Sequence, residues 1–151
     1  MQLLSMEEVV SIGVEFKDDV CFSGEYGQQV YTKEIDKGGI PVEGILYEKY
    51  SNGRLAYYAY YEDGIPNGIS VSYYPSGSIE SYCVMDAGTI DGEYTGWYED
   101  GTLKVKKICK YGFVLSMKEF DEKGNMVKEK KGLDESEKKR YEKLANYYEK
   151  R

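Results

Sequence analysis

The chain has no histidine, so the side chain that most often serves as general base and as zinc ligand is missing. A Ser–His–Asp or Cys–His nucleophile is therefore impossible. Its three cysteines, Cys21, Cys83 and Cys109, are odd in number and form no Cys-x-x-Cys pair. They read as small buried residues of a reducing compartment rather than a disulfide framework, which points to a cytoplasmic protein. There are only 3 prolines, and 4 Phe and 1 Trp stand against 17 Tyr. No run is long and apolar enough for a membrane helix. The opening MQLLSMEEVV lacks a basic region followed by an apolar core, so no signal peptide is expected. Walker, GxGxxG and G-x-S-x-G patterns are absent as well.

What is abundant is tyrosine and glycine, 17 of each. Tyrosine covers apolar surface while keeping a polar tip in water, which suits a thin structure with two wet faces. The glycines keep step. Gly44, Gly68 and Gly92 are 24 residues apart, as are Gly53, Gly77 and Gly101, with Gly124 following one residue short. Tyr50, Tyr74 and Tyr98 share the step, and so do Leu55, Ile79 and Leu103. Several series in phase identify a tandem repeat. Its copies are GILYEKYSNGRL from Gly44, GISVSYYPSGSI from Gly68, GEYTGWYEDGTL from Gly92, and LSMKEFDEKGNM from Leu115. The last copy has Asp121 in place of the tyrosine. Phe22, Tyr26 and Tyr31 suggest an eroded earlier copy.

Each unit reads as two strands. Pro75-Ser76-Gly77 joins them tightly, with proline at the first central position of a type I turn and glycine in the left-handed position. The second connections, Glu62–Gly68 and Asp86–Gly92, read as longer loops, and all three prolines are expected in loops. Links this short exclude parallel crossovers. The spacing therefore predicts an all-β fold, an elongated single antiparallel meander of ~24-residue hairpins. Val10, Ile12, Val14 and Phe16 alternate as an N-terminal strand. Residues 134–150 read as a terminal helix, capped by Asp134 or Ser136, with Tyr141, Leu144 and Tyr148 on one face. One domain over 1–151 is expected: N-terminal strand and eroded repeat at 1–43, repeats at 44–132, helix at 133–151.

The copies SYYPSG and GWYEDGTL, followed by EFDEKGNMVKE and a charged tail, resemble the MORN-repeat variants of the YwqK-like antitoxin or immunity family of bacterial polymorphic toxin systems. The resemblance covers roughly residues 9 to 132. It implies a cytoplasmic protein that inhibits a cognate toxin by direct binding, without catalytic residues or cofactor. A MORN-type scaffold at a membrane or cell-envelope complex is the alternative, and a carboxylate-based enzyme a third. The adjacent acids Glu62-Asp63 and Glu99-Asp100 recur before turn glycines, so turn chemistry explains them better than acid–base work. Asp86 and Asp91 share a connection, but no further carboxylate joins them, so no metal site is expected.

Charge is unevenly spread. Residues 1–103 hold 18 acids and 5 bases, and residues 104–151 hold 9 acids and 15 bases. Residues 55–103 hold eight acids and no Lys or Arg. Solubility alone explains charge of mixed sign, not a base-free stretch. An acidic surface disfavours nucleic acid and favours a basic protein, expected here to be a toxin acting on nucleic acid and held by one monomer of this chain. No membrane partner is expected. Turn geometry decides which side chains share a face. A three-residue turn sets Trp97 beside Leu103 and Tyr73 beside Ile79, with Val71, Cys83, Met85 and Val105 on the same apolar face. The opposite face then carries Tyr58, Tyr60, Tyr74, Glu80, Tyr82, Tyr94 and Tyr98. A two-residue turn would flip each second strand. The expected partner-binding residues are Tyr58, Tyr60, Glu62, Asp63, Tyr74, Glu80, Tyr82, Asp86, Asp91 and Tyr94, tyrosine being enriched at binding hot spots.

Overall fold

The computed structural model describes residues 2–23 and 27–150, so Tyr26 of the suspected early copy lies outside the described residues. In chain order the elements are helix α1 (Met6–Ile12), strands β1 (Val14–Glu15), β2 (Cys21–Ser23) and β3 (Gln29–Tyr31), and a 3-10 turn at Ile35–Lys37. The repeat strands follow as β4 (Gly44–Lys49), β5 (Leu55–Glu62), β6 (Ile65–Tyr73), β7 (Ile79–Asp86), β8 (Thr89–Trp97), β9 (Leu103–Lys110), β10 (Phe113–Phe120) and β11 (Met126–Lys130). Helix α2 (Glu135–Glu149) ends the series. Strands β4 to β11 form an antiparallel meander in sequence order, open at both ends, and β1 joins β4 at one edge.

The tight turns are as the sequence predicts. Tyr74 donates its N–H to Ser78 and accepts from the N–H of Gly77, which lies at φ +98°. The same pair of bonds closes the turns at Tyr50, Tyr98 and Asp121. The recurring tyrosine does more than close its own turn. The hydroxyl of Tyr50 donates to the carbonyl of Tyr73 at 2.7 Å, that of Tyr74 to Trp97 at 2.6 Å, and that of Tyr98 to Phe120 at 2.8 Å. Each accepting carbonyl sits just before the next turn's first residue. The series is thus a ladder that ties every hairpin to its successor. It ends at Asp121, after which the described residues hold no further hairpin to accept the bond. Asp121 Oδ1 instead accepts the N–H groups of Lys123 and Asn125 and braces its own turn.

The second connections are not loops. Asp63-Gly64, Ala87-Gly88 and Tyr111-Gly112 all have positive φ, the signature of two-residue type I′ turns. Strands β6 and β8 therefore begin at Ile65 and Thr89, and Pro66 lies inside a strand rather than in a loop. It is tolerated because the β5–β6 register slips there, from Ala59↔Ser70 to Tyr61↔Pro66, and its carbonyl still accepts from Gly88 at 2.9 Å.

The expected N-terminal strand is mostly a helix. Ser5 and Glu8 form a reciprocal capping box that starts α1, and Gly13 ends it by donating to the carbonyl of Val9. Val10 and Ile12 thus belong to α1, and only Val14–Glu15 is strand, paired parallel with Leu46 and Tyr47. The short apolar alternation there lost to a complete cap. Nor does the segment around Phe22 and Tyr31 extend the sheet. Strands β2 and β3 form their own two-stranded unit, tied to the sheet by Val30 donating to Gly64 and Gly64 donating to Val42.

These additions decide where the core sits. Val9 of α1 enters a cluster with Ile45, Tyr47, Leu55, Tyr58 and Val71 on one face. Val30, Val42 and Leu46 form a second cluster with Val14, Phe16, Val20 and Tyr61. The first repeats are thus covered on one side by Leu4 and Val9 and on the other by Val14, Phe16, Val20, Val30 and Val42. Beyond Val71, Cys83 and Cys109 are the only buried hydrophobic side chains among the described residues. Helix α2 stacks Tyr148 on Tyr111 and sets Tyr141 against Phe113, while Glu137 pairs with Lys130 at 2.8 Å.

Candidate interaction surfaces

Strand register assigns the faces, and it differs from the sequence expectation. The tips pair as predicted, Tyr73 with Ile79 and Trp97 with Leu103. A bulge then intervenes, because Ser72 pairs with Ser81 and Gly96 with Val105, leaving Glu80 and Lys104 as extra residues. The bulge flips the rest of each second strand. Tyr82 therefore lies opposite Val71, whereas Cys83 faces Ser70 and Tyr94, and Met85 faces Gly68. Cys83, Met85 and Val105 leave the expected apolar face, and Tyr58, Tyr60 and Tyr82 join it.

Nine of the ten expected binding residues accordingly separate into three places, and Asp91 stands apart within β8. Tyr58, Tyr60 and Tyr82 lie on the face that α1 covers. Tyr58 is 1% exposed and accepts the N–H of Leu4 at 3.0 Å, so it is a core residue. Tyr60 and Tyr82 pack at the margin of the same cluster.

Tyr74, Glu80 and Tyr94 come together on the opposite face. They line a groove of about 430 Å³ with Tyr98, Lys104, Lys107 and Phe120. Lys107 stands 4.7 Å above the ring of Tyr94, and Lys104 stands 5.5 Å from that of Tyr98. Sequence reading missed both lysines as partners of these rings. No sequence signal marks them, because it is the bulge at Lys104, one repeat after that at Glu80, that places both residues in one groove.

Glu62, Asp63 and Asp86 occupy the row of type I′ turns, around a shallow depression of about 280 Å³. Glu62 accepts from the Asn67 amide, and Asn67 in turn accepts the N–H of Ala87, which joins successive turns. Among the described residues none of these three acids has a cationic partner within ion-pair distance. Asp91 differs, since Lys110 meets it at 2.9 Å, and Glu93 likewise meets Lys106 at 3.1 Å. The base-free stretch is therefore neutralised at Asp91 and Glu93 of β8 by lysines of β9 and left bare at the turn row.

Titration adds a chemical limit. The carboxyls of Asp100 and Asp121 sit below the usual range because neighbouring backbone N–H groups of their own turns hold them ionised, and Glu137 does so chiefly through Lys130. A general acid needs the opposite displacement. Burial pushes the Cys83 and Cys109 thiols up, away from the reactive thiolate.

Comparison with known proteins matches this geometry. The family described as MORN repeat variant matches residues 66–85 and 90–108, which are the β6–β7 and β8–β9 hairpins. The immunity protein YwqK of Bacillus subtilis (strain 168) is 32% identical over 63 residues, 42% of this chain and 40% of that protein. The matched region thus spans less than half of that relative. No solved structure matches the chain. Among the described residues no helix is long and apolar enough to cross a membrane. The period and the hairpin boundaries agree with these matches: the β6–β7 and β8–β9 hairpins match the MORN repeat variant family, and part of the chain is similar to YwqK.

Proposed function

We propose that the chain is a cytoplasmic immunity protein that neutralises a cognate toxin by binding it as a monomer, without catalysis or cofactor. The observation that carries this reading is the division of the acids. Asp91 and Glu93 of β8 are paired with lysines of β9, while Glu62, Asp63 and Asp86 have no ion-pair partner among the described residues and stand along one row of turns that residues 55–103 leave free of any base. Such a row suits a basic protein surface, of the kind a nuclease presents to phosphate. The similarity to an immunity protein over 63 residues supports the same class of partner. Asp91 contributes less than the bare acids, because its charge is already met by Lys110.

Exposed acids act mainly on encounter, and aromatic contacts on the lifetime of a complex. The test is binding kinetics with the toxin encoded beside this gene, at low and high salt. Reversing Glu62 and Asp86 to Lys lowers the on-rate about tenfold at low salt and flattens its salt dependence. An on-rate that ignores both the reversal and the salt refutes the acidic-row reading. Absence of any complex, or of protection in cells expressing the toxin, refutes the immunity role.

A further inference from the structure

The face that α1 covers is open again over β7 to β9, before α2 packs on Phe113 of β10, and the repeat relates the covered and open parts residue by residue. In the covered part Val9 and Leu4 pack against a cluster that includes Tyr58, Tyr60, Tyr73 and Ile79. One period later, 24 residues on, stand Tyr82, Val84, Trp97 and Leu103. These four line an open groove of about 540 Å³ together with Glu93, Thr95 and Lys106. Those last three stand one period after Ile69, Val71 and Tyr82, which also belong to the covered cluster. Every lining residue of the groove is thus the successor of a residue in the seat of α1. Val84 is 39% exposed there, and Ile108 beside it 38%.

We propose that this groove is a second, vacant seat for a helix, and that its occupant is an amphipathic helix of the protein partner, apolar along one stripe and basic at both ends. The proposal rests on the reading of the chain as a binder of a basic protein and names the element that is bound. The helical shape follows from the repeat, since the equivalent positions already hold one. Charge supplies the rest. The substitutions along the period make the vacant seat more polar at its centre, but Glu93 and Lys106 pair there and cancel. The ends of the groove do not cancel. Asp86 lies at the β7–β8 turn, and Glu99 and Asp100 lie at the β8–β9 turn, none with a cationic partner among the described residues. A second copy's α1 fits poorly, because its first turn carries Glu7 and Glu8 and its last turn no base. Like charges at the groove ends would repel it.

The chain carries its own reporter, for Trp97 is its only tryptophan. The full-length chain is titrated with a tryptophan-free helical peptide of leucines at positions i, i+3, i+4 and i+7 and lysines elsewhere. Trp97 emission is followed, with a leucine–glutamate peptide of the same pattern as control. Expected are a saturable blue shift with the lysine peptide, affinity at least tenfold weaker for the glutamate peptide, and at least tenfold loss in Val84→Arg. Val84→Ile retains binding, and circular dichroism with thermal melting confirms that both variants fold. No emission change overturns the proposal, as does a change that survives Val84→Arg. A chain that sediments as a dimer which Val84→Arg dissociates also overturns it, because the groove would then be a self-interface. A chain that takes the peptide but forms no complex with the neighbouring toxin keeps this groove and loses the immunity role. The reverse result keeps the immunity role and loses the groove.

Discussion

The tyrosine ladder makes a quantitative prediction. In Tyr74→Phe the ring stays and the hydroxyl goes, so the 2.6 Å bond to the carbonyl of Trp97 is lost while packing is kept. A part-buried hydrogen bond of this kind contributes about 1 kcal/mol net. For a chain of this size each kcal/mol moves the melting temperature by roughly 2–4 °C. Tyr50→Phe and Tyr98→Phe remove the equivalent bonds to Tyr73 and Phe120. Neighbouring rungs are two strand spacings apart, about 10 Å, far enough for the losses to add. The triple variant should therefore lose about 3 kcal/mol and melt roughly 6–12 °C lower. Because each rung joins one hairpin to the next, the loss falls on coupling between repeats. In an array stabilised by nearest-neighbour contacts, weakened coupling broadens the transition as well as lowering it. Urea unfolding followed by tryptophan emission and by far-ultraviolet circular dichroism measures both effects, and the two probes should separate in the triple variant. Asp121→Phe is the control, since it removes bonds within one turn and leaves every rung in place. A triple variant within 0.5 kcal/mol of the parent, or one with a sharper transition, would refute the ladder as an inter-repeat tie.

Two further outcomes follow from the packing. Val9→Ala deletes two methyl groups from a fully buried side chain that seats α1 on the sheet, so it should cost about 2 kcal/mol in urea unfolding. It should also raise hydrogen exchange at the Leu4 N–H, whose bond to Tyr58 depends on that seat. At high pH, burial pushes the Tyr73 phenol up to about 12 and raises Tyr57, Tyr58 and Tyr61 above the ordinary tyrosine value of 10.0. The folded chain keeps protons that the unfolded chain releases, so this stability is complete below about pH 10 and falls as pH rises toward 12. Stability measured across that window should slope downward, and less steeply in Tyr73→Phe.

The array was legible in the sequence because its cause is local. A tight turn with glycine in the left-handed position must recur at every hairpin, so Gly53, Gly77, Gly101 and Gly124 mark the turns whatever lies between. The type I′ turns were harder to read. Asp63 and Ala87 adopt positive φ; Asp63-Gly64 is a type I′ sequence, but Pro66 two residues on argued against a strand starting at Ile65 and so for a loop. The N-terminal helix was missed for another reason. Alternation from Val10 to Phe16 suggests a strand, but the Ser5–Glu8 box supplies the orphan N–H groups of a first turn, and Val9 gains a core position that a strand would not give it. The eroded copy around Phe22 and Tyr31 forms its own unit, β2 and β3, whose place against the main sheet is set by the long-range bonds of Val30 and Gly64.

The faces were the hardest to read, and the reason bears on function. Side-chain direction along a strand has period two, so a single extra residue reverses everything after it. Glu80 and Lys104 are such residues, and they look no different in sequence from their neighbours. The bulge has a consequence for evolution of the surface as well as for its reading. It lets a polar residue project beside each tight turn without breaking the apolar alternation that follows. Glu80 and Lys104 can therefore differ in sign while Tyr82 and Lys106, two positions on, keep to the other face. Each repeat thus offers one groove position on either side of the sheet that varies without disturbing the ladder. The first repeats spend both sides on described residues of the N-terminal segment, such as Val9 and Val30, which close the core there. Strands β7 to β9 carry an open groove on each side, and the variable charges lie among them. A scaffold made this way separates the residues that hold the sheet from those that meet a partner, and the separation runs along the chain as well as across the sheet.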